Sequence, residues 1–321
     1  MNCRPLGLTS LHLSELGHGA WGIGGAQWKG GSDDESMRAL RRAFELGLNF
    51  VDTALAYGNG HSEQLVGRAV KDAGHEIFVA TKIPPRNRIW PARASSQLDD
   101  VFPSRYIIDA TEESLRNLQL ETIDLQQFHV WNPKWTPQEE WRRAVESLGQ
   151  SGKVRFVGVS LTEHDPDSGL DLIRTGAIDV VQVLYNIFDP SAADRLFPLA
   201  QQFGVGILAR VPLDEGGLTG AIRENITFAD EFRAQYFRGD RPRQIAERVD
   251  KLIADLNVPS EELPGIALRF CLSHPAVTSV IPGMRRVAHV ENNVLAASRG
   301  PLSKEMLEIL NRHRWPRNFY S

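Results

Sequence analysis

The chain has little of what marks secreted, metal-binding or membrane proteins. Cysteine occurs only at Cys3 and Cys271, and no CxxC pair or cluster of cysteine and histidine has the spacing of metal ligands. The beginning, Met1 to Pro5, lacks the charged-then-apolar layout of a signal peptide, and no apolar run approaches the roughly 18 residues needed to cross a bilayer. We therefore expect a cytoplasmic protein with neither a metal site nor a membrane partner.

Basic residues are not concentrated in any part of the chain. The net charge is -4 at pH 7, and the arginine-rich segment 238–243 also contains Asp240, so we interpret that segment as a solvated loop. A nucleic acid or an anionic membrane is attracted by a basic face. The composition offers no such face and therefore gives no electrostatic reason to expect a nucleic acid or an anionic membrane as partner.

What the sequence does contain is a regular alternation of strand and helix patterns. Short apolar runs predict strands at 16–21, 49–53, 77–82, 124–129, 154–159, 179–184, 205–209 and 278–281. After a first helix from Ser32 to Leu46, further helices are predicted to begin near Ser62, Ser104, Thr136, Asp165, Asp189 and Arg241. Eight β-α repeats without a break in composition favour an α/β fold, a (β/α)8 TIM barrel in a single domain over 1–321, rather than a doubly wound sheet.

Two of the predicted helices have strong start signals. Ser32 and Glu35 form a capping box, in which each side chain bonds the other residue's backbone N–H. Thr136, followed by Pro137 and Glu139, combines an N-cap, a first-turn proline and a capping-box acid. Both patterns predict a helix that begins at the next residue.

Three segments lie outside the repeat. Residues 4–15 predict a β-hairpin that caps the barrel instead of pairing in its sheet. Residues 84–103 and 215–240 are long connections that follow strands and contain aromatic side chains. Long βα loops at the carboxyl face of a barrel shape substrate pockets, and the alternative is a disordered surface insertion.

One glycine motif is misleading. Residues 17–22 match G-x-G-x-x-G, the dinucleotide-binding fingerprint, but a single match is weak. That fingerprint requires a helix to begin at once, whereas here a loop sequence continues to Gly31. We interpret these glycines as part of a loop at the mouth of the barrel.

Four ionisable side chains stand at or just after predicted strand ends. They are Asp52, Tyr57, Lys82 and His129. Carboxyl ends of barrel strands are where barrel enzymes carry their catalytic groups, so we expect these four to meet. Each also has a structural interpretation: a loop aromatic, a structural ion pair of Asp52 with Lys82, and a hydrogen-bonded barrel histidine. A metal held by His129 and Asp52 is disfavoured, because no second histidine has ligand spacing.

Together the four side chains suit carbonyl reduction. A nicotinamide cofactor supplies the hydride for such a reaction, and the protein must supply an acid that protonates the oxygen. Tyr57 is the candidate acid, because a nearby Lys82 ammonium favours the phenolate and lowers the pKa from about 10. Asp52 would keep Lys82 charged, and a neutral His129 would donate a hydrogen bond to the carbonyl oxygen.

These residues and their surroundings resemble the aldo-keto reductase superfamily, in its bacterial type. The stretches that carry the resemblance are the run from Phe50 to Gly58 with Ser62 and Glu63, Ala80-Thr81-Lys82, His129, Gly158-Val159-Ser160, Gln182 with Tyr185 and Asn186, and Gly217-Leu218-Thr219-Gly220. The resemblance implies that Tyr57 is the general acid/base. It also implies that Lys82 and Asp52 tune Tyr57 and that His129 orients the substrate.

The resemblance further implies NADP(H) as cofactor, with NAD(H) as the alternative, bound in an extended form across the strand ends. The expected cofactor contacts are Trp21, Ser160, Gln182, Arg210, Pro212, Leu213, Gly217, Gly283, Met284, Arg285, His289, Asn292 and Asn293. Arg285 is the expected contact of the 2′-phosphate, since a fixed guanidinium pairs well with phosphate. The chain departs from the family's common pattern at Leu161 (usually Asn), at Arg210 (often a stacking aromatic) and at Gly283 (in some members Lys).

The sequence therefore predicts an NADPH-dependent reductase of an aldehyde or ketone, and the reverse oxidation of an alcohol is compatible with the same residues. The alternative is a non-catalytic or slow NADPH-binding regulatory module, since the superfamily resembles potassium-channel β subunits. A barrel hydrolase would need a second carboxylate beside Asp52, and none is apparent at the strand ends. Trp21, Trp90 and Trp131 are expected to line the substrate pocket, and for Trp131 packing beneath the next loop is the alternative.

Overall fold

A parallel sheet of eight strands forms the centre of the computed structural model, which describes residues 1–25, 28–161 and 164–320. Two short strands precede this sheet, β1 (Cys3–Pro5) and β2 (His12–Ser14). The sheet itself consists, in chain order and in spatial order, of β3 (His18–Gly19), β4 (Phe50–Asp52), β5 (Phe78–Ile83), β6 (Ile123–Phe128), β7 (Val154–Ser160), β8 (Val180–Leu184), β9 (Gly206–Arg210) and β10 (Val277–Val280). Each predicted strand run corresponds to one of these strands.

The first and last strands of the sheet meet and close it. Leu16 bridges to Val280 and Gly19 bridges to Gly283, both in parallel. A Cβ atom on Gly19 would lie 2.6 Å from the carbonyl oxygen of Ile281, so this junction requires glycine. The (β/α)8 barrel predicted from the alternating pattern is confirmed.

Helices cover the outside of the barrel. In chain order they are α1 (Asp33–Glu45), α2 (His61–Lys71), α3 (Leu98–Val101), α4 (Ser104–Leu118), α5 (Glu139–Gln150), α6 (Leu170–Arg174), α7 (Leu196–Phe203), α8 (Glu231–Tyr236), α9 (Arg241–Leu256), α10 (Leu263–Leu272), α11 (Val287–Ser298) and α12 (Lys304–Asn311). Ser32 accepts from the N–H of Glu35 at 3.2 Å, as the capping-box pattern predicts. Among the helices of the described chain, none is both long and apolar enough to cross a membrane.

The amino-terminal hairpin plugs the floor of the barrel. Strands β1 and β2 pair with each other in antiparallel fashion and stay outside the main sheet. Leu6, Leu11 and Leu13 are buried and share one apolar cluster with strand residues such as Phe50 and Leu208. Because the hairpin excludes water from the amino ends of the strands, only the carboxyl face remains for a ligand.

Some predicted helix starts are wrong by a few residues. The helix predicted to begin after Thr136 begins at Glu139, and Thr136 ends a 3₁₀ turn over Pro133–Trp135. Thr136 has helical backbone angles, φ of -53° and ψ of -44°, where an N-cap residue is extended, and its hydroxyl accepts from the indole N–H of Trp131 at 3.3 Å. A tertiary contact has replaced the local capping preference. The predicted starts near residues 165 and 189 likewise precede 3₁₀ turns, at 166–169 and 191–193, before α6 and α7 begin.

The prediction that the G-x-G-x-x-G segment is a loop at the barrel mouth holds only for its second half, because His18 and Gly19 form strand β3. Its second half forms a 3₁₀ turn over Trp21–Ile23, and α1 begins only at Asp33. A Cβ atom on Gly22 would lie 2.7 Å from Cδ of Arg285, so this glycine admits the arginine stem. The glycines therefore permit close packing against the segment that follows β10. They do not lie at the N-terminus of a helix, where a phosphate group would bind in the dinucleotide-binding fingerprint.

His18 lies within the seam between the first and last strands. Its Nε2 atom is 3.0 Å from the carbonyl oxygen of Met284, its Nδ1 atom has no partner among the described residues, and the side chain is fully buried. Burial lowers the pKa of His18 to about 4, opposed by backbone hydrogen bonding to Met284. The neutral imidazole thus donates one hydrogen bond across the seam.

This burial predicts a loss of stability in acid. The pKa of His18 is lower in the folded protein than its ordinary value of 6.5. The stability that the neutral His18 imidazole contributes is therefore fully present above pH 6.5 and is lost as the pH falls toward 4. For one such group the free energy of unfolding should fall by about 2 kcal/mol between pH 7 and pH 5. His18→Gln retains an N–H donor but cannot be protonated. We expect its free energy of unfolding, measured by urea denaturation, to fall less between these pH values than that of the native protein. His12→Gln, at an exposed position, is the matched control, and an equal fall in all three proteins would contradict the prediction.

Candidate active site

The four side chains singled out from the sequence converge at the carboxyl face of the barrel. Asp52 is the last residue of β4, Lys82 lies near the end of β5, and His129 directly follows β6. These three strands are neighbours in the sheet. Tyr57 comes from the turn between β4 and α2. Three consecutive strands and one turn therefore bring these residues to one place.

Lys82 stands at the centre of the group. Its ammonium Nζ atom lies 2.5 Å from Oδ1 of Asp52, 2.8 Å from the carbonyl oxygen of Thr53 and 3.3 Å from the hydroxyl of Tyr57. The Lys82 side chain is 1% exposed and that of Asp52 is 4% exposed. All three donors of the ammonium are therefore used, as a buried lysine requires.

The turn that carries Tyr57 is fixed by close backbone packing. Gly58 and Gly60 have left-handed backbone angles, with φ of 66° and 88°. A Cβ atom on Gly58 would lie 2.1 Å from the carbonyl oxygen of Gly24. Ser62, at the start of α2, is hydrogen-bonded through its hydroxyl to Thr53 and to the carbonyl oxygen of Ala20, each at 2.8 Å. The tyrosine is thereby presented from a turn with little freedom to move.

The electrostatics of the Lys82–Tyr57 pair differ in one respect from the sequence-based expectation. Burial acts to lower the pKa of Lys82, but the Asp52 carboxylate and Tyr57 outweigh it, and the pKa of Lys82 is raised. Burial raises the pKa of Tyr57; the Lys82 ammonium opposes this effect without cancelling it. The expected net lowering of the pKa of Tyr57 is therefore wrong for this structure, and the phenol is protonated at neutral pH.

His129 is held in its neutral form beside Tyr57. The two rings are 5.6 Å apart between centroids, in an edge-to-face arrangement. Burial, together with the positive charges of Lys82 and Arg210, lowers the pKa of His129 well below its ordinary value. Its Nδ1 atom is buried and has no partner among the described residues. A neutral imidazole at this position has one N–H to offer to a bound ligand.

Two glutamines extend the group, and one of them was not foreseen from the sequence. Asp52 accepts, through Oδ2, hydrogen bonds from Nε2 of Gln182 at 2.7 Å and from Nε2 of Gln127 at 3.2 Å. Gln182 was predicted as a cofactor contact, and in this structure its amide nitrogen contacts Asp52. Gln127 belongs to the pair Gln126-Gln127 inside a buried strand, and two adjacent amides in such a strand are the signal that could have identified it.

Glu63 was included in the family motif without a role, and it forms a second buried network behind the first. Its carboxylate accepts from Thr81 at 2.6 Å and from Nδ2 of Asn117 at 2.9 Å. Burial raises its pKa, opposed by these hydrogen bonds. Because Thr81 precedes Lys82, this network ties α2 and α4 to the strand that carries the lysine.

Aromatic rings surround the opening above these residues. Trp21 lies 6.3 Å from Tyr57 and 4.7 Å from Phe232, and Trp90 lies 5.8 Å from His129, all between ring centroids. Trp90 is 41% exposed, so part of this residue is open to solvent. The long connections 84–103 and 215–240 supply Trp90 and Phe232, and both are built in part from helices, α3 and α8.

The predicted position of Trp131 is wrong. Strand β6 ends at Phe128, so the alternation that would have aimed Trp131 at the ligand does not continue. The ring is 1% exposed and packs 5.2–5.8 Å from Phe128, Trp135 and Trp141. Trp131 belongs to the core beneath the following loop.

The segment after β10 presents one guanidinium to the mouth. Arg285 is half-buried, donates to the carbonyl oxygen of Lys29 at 3.0 Å and lies 5.5 Å from the centre of the Trp28 ring. Gly283 is exposed and has open space where a Cβ would be. The Met284 side chain is fully buried in the core behind the segment, so a cofactor contact from this residue would have to come from its backbone. His289 and Asn292 are exposed on α11, whereas Asn293 is buried.

The loop after β9 has an unusual backbone. Val211, Asp214 and Glu215 have φ values of 57°, 53° and 54°, and Gly216 follows at 104°. A left-handed conformation is rare for a β-branched residue such as Val211. Within the loop Pro212 and Gly217 are buried and Leu213 is half-buried. Within the loop, the N–H groups of Asp214, Gly216 and Leu218 donate to the carbonyl oxygens of Val211 and Leu213. Left-handed residues next to right-handed ones can turn neighbouring N–H groups toward one side, as in backbone sites for phosphate groups.

The remaining predicted contacts lie on strand ends between this loop and the four central residues. Ser160 ends β7 and is paired in register with Gln182 of β8. Arg210 ends β9 and donates from Nη2 to the carbonyl oxygen of Leu161 at 3.0 Å, so its guanidinium reaches back across β8.

The donor set fits an extended nicotinamide dinucleotide. The Arg285 guanidinium lies at one end, the glycine-containing loop after β9 borders the middle, and the neutral His129 and Tyr57 lie at the other end. Among the described residues, no group of three or more side chains is arranged to hold a metal ion.

Comparison with known proteins agrees with this arrangement. The model of the aldo/keto reductase family matches residues 15–314. Aldo-keto reductase YhdN of Bacillus subtilis (strain 168) is 30% identical over 292 residues, which are 88% of this chain and 85% of that protein. The NADH-specific methylglyoxal reductase of Escherichia coli (strain K12) is 28% identical over 328 residues, covering 96% of this chain and 99% of that one.

A solved structure extends the likeness to three dimensions. The holo form of the aldo-keto reductase AKR11C1 from Bacillus halodurans matches with a TM-score of 0.77 at 28% identity, over 98% of this chain and 96% of that chain. Family model, relatives and architecture agree over nearly the whole sequence. This chain belongs to the aldo/keto reductase family, whose members are NAD(P)H-dependent oxidoreductases.

Proposed function

We propose that this protein reduces an aldehyde or ketone to an alcohol with NADPH and that Tyr57 is the general acid. The observation that carries the proposal is the contact of the Lys82 ammonium with both Asp52 and the Tyr57 hydroxyl, beside a neutral His129. A structural ion pair would explain Asp52 and Lys82 alone. It would not explain why a tyrosine hydroxyl and an imidazole are also placed beside that pair at the barrel mouth.

Each side chain has a distinct task in this reaction. When bound, the nicotinamide supplies the hydride. His129, kept neutral by burial and by the nearby positive charges, donates a hydrogen bond that orients the carbonyl oxygen. The Tyr57 hydroxyl donates its proton to that oxygen as negative charge develops there, and Lys82 stabilises the phenolate that remains. Asp52 keeps Lys82 charged and fixed in position.

Support for NADPH over NADH comes from Arg285. Its half-buried guanidinium is held against Gly22 and Lys29, so a planar, fixed donor faces the mouth, which suits a phosphate monoester. The Escherichia coli relative is named for NADH, so the preference of this chain is tested separately below.

The alternative, a regulatory module that binds NADPH and turns it over slowly, uses the same barrel. The two functions differ in turnover and not in cofactor affinity. Three features favour catalysis. Every donor of the Lys82 ammonium has a hydrogen-bond partner, His129 is neutral, and Trp90 is partly exposed at the mouth of the site.

The first prediction from the proposed function concerns Tyr57→Phe. Loss of the acid should lower the steady-state rate of aldehyde reduction by roughly 10²- to 10⁴-fold, the usual contribution of general acid catalysis. NADPH binding, followed by fluorescence, should remain. Tyr185→Phe is the control, because Tyr185 is a buried tyrosine that packs against Phe270 outside the site. A Tyr57→Phe protein that retains its turnover would remove the proposed acid, whereas tight NADPH binding without turnover in the native protein would favour the regulatory alternative.

A second prediction concerns pH. Reduction requires the protonated phenol, and because burial raises the pKa of Tyr57 above its ordinary value of 10.0, the rate of aldehyde reduction should not fall between pH 6 and pH 9 through titration of this group. Oxidation of the corresponding alcohol requires the phenolate, so its rate should rise throughout the same range. Initial rates in both directions would test this pair of profiles, and an oxidation rate that is independent of pH would contradict the role of Tyr57.

A third prediction concerns Arg285→Ala. Loss of a charge-assisted hydrogen bond should weaken NADPH binding by roughly 10- to 100-fold while NADH binding changes little. Arg286→Ala is the matched control, since Arg286 is the next residue, is exposed, and lies 3.7 Å from Glu35. Dissociation constants for both cofactors by fluorescence titration provide the comparison. An equal loss for NADPH and NADH would show that Arg285 does not contact the 2′-phosphate.

A further inference from the structure

The last residues of the chain cross the carboxyl face of the barrel. Residues 315–320, here called the tail, follow α12 and lie against the loop after β9, residues 211–220, here called the β9 loop. The backbone N–H of Trp315 donates to the carbonyl oxygen of Phe188 at 2.6 Å, which anchors the start of the tail. Near its end, the carbonyl oxygen of Phe319 accepts from Nη1 of Arg241 at 2.8 Å.

Arg317 forms the first contact of the tail with the β9 loop. Its guanidinium is ion-paired and hydrogen-bonded with Asp214, and the two side chains are 9% and 2% exposed. The guanidinium also lies 4.4 Å from the ring centre of Trp315, 4.7 Å from that of Phe319 and 5.3 Å from that of Phe188. Arg317 is therefore enclosed between aromatic rings and directed at a single carboxylate.

Tyr320 forms the second contact. Its hydroxyl donates to Oε1 of Glu215 at 2.6 Å. Its ring lies 4.9 Å from that of Tyr236 and 6.2 Å from that of Phe232, both on α8. Phe232 in turn packs on Trp21 at the mouth of the site. The tail thus touches the β9 loop and, through α8, the aromatic wall beside Tyr57.

The two carboxylates that the tail binds belong to residues in a costly backbone conformation. Asp214 and Glu215 are consecutive and both left-handed, with φ of 53° and 54°. Residues other than glycine keep such a conformation only where the surroundings hold it. Within the described chain, the charged or polar side-chain contacts that hold Asp214 and Glu215 from outside the β9 loop include Arg317 and Tyr320.

We propose that the tail is a clamp that holds the β9 loop in the conformation that binds the cofactor's phosphate groups and thereby sets the rate of cofactor release. Arg317 and Tyr320 act through the loop and are positioning residues. The part of this proposal that concerns the cofactor rests on the proposed function. The part that concerns the loop's conformation does not depend on it.

The test compares Tyr320→Phe and Arg317→Met with a control from the same end of the chain. Tyr320→Phe removes one hydroxyl and keeps the ring contacts. Arg314→Met is the control, because Arg314 forms an exposed ion pair with Asp194 just before the tail and does not contact the β9 loop. Two quantities are measured on the whole chain: hydrogen–deuterium exchange of residues 211–220 without cofactor, and the NADPH dissociation rate by stopped-flow displacement.

The clamp predicts faster exchange in residues 211–220 and NADPH dissociation faster by about fivefold to tenfold in both tail variants. This is less than the full effect of a lost charge-assisted hydrogen bond, because Arg317 and Tyr320 act on the cofactor only through the loop. Single-turnover hydride transfer should be unchanged, and Arg317→Lys should restore part of the slow release because it keeps the charge. Arg314→Met should match the native protein in both measurements. A merely structural role would instead lower the midpoint of thermal unfolding without changing release relative to hydride transfer.

Unchanged exchange in Tyr320→Phe, with a native unfolding midpoint, would overturn the clamp even if Arg317→Met failed to fold. Equal acceleration in Arg314→Met would overturn it as well, because the effect would then come from the chain end in general. If the native protein did not bind NADPH, the proposed function would fail while the exchange measurement still decided whether the tail holds the loop.

Discussion

The candidate site depends on burying the Lys82 ammonium. A lysine with a 1% exposed side chain is stable only if its charge is matched and its three donors are used, and here Asp52, the Thr53 carbonyl and the Tyr57 hydroxyl do so. This requirement fixes where the ends of β4 and β5 can lie. It also fixes the tyrosine, since a displaced hydroxyl would leave a buried N–H without a partner.

The need to match the buried Lys82 charge involves side chains from several strands of the barrel. Asp52 uses one oxygen for Lys82 and the other for Gln127 and Gln182, so side chains from β4, β5, β6 and β8 share one hydrogen-bonded group. Beneath it the hairpin, through residues such as Leu13, removes water from the barrel floor. The polar group is therefore built on a dry, closely packed base, where its electrostatic interactions are strong.

The sequence was informative where local pattern and fold agree, and less so where tertiary contacts compete. Strand runs ending in Asp52 and Lys82 predicted both the barrel and the meeting of these residues. Thr136 is not a helix cap because it ends a 3₁₀ turn with helical backbone angles, and Trp131 is not a pocket residue because β6 ends three residues earlier. The sign of the pKa change at Tyr57 depends on the balance of burial against the Lys82 charge, which no spacing of residues reveals.

The carboxyl face of the barrel has a rigid part around Lys82 and a part with a strained backbone, the β9 loop. Around Lys82 the donors and acceptors are matched within the barrel itself, so this part needs no external support. The β9 loop contains left-handed residues, and the carboxylates of Asp214 and Glu215 are held from outside the barrel by Arg317 and Tyr320. A group that transfers a proton must be held in a fixed position. A loop that admits and releases a large ligand must instead be able to open, so contacts that can break and re-form suit it better. In the proposed function, the groups that perform chemistry lie at the strand ends and the adjoining turn, whereas the loop that would exchange the ligand is held by the end of the chain.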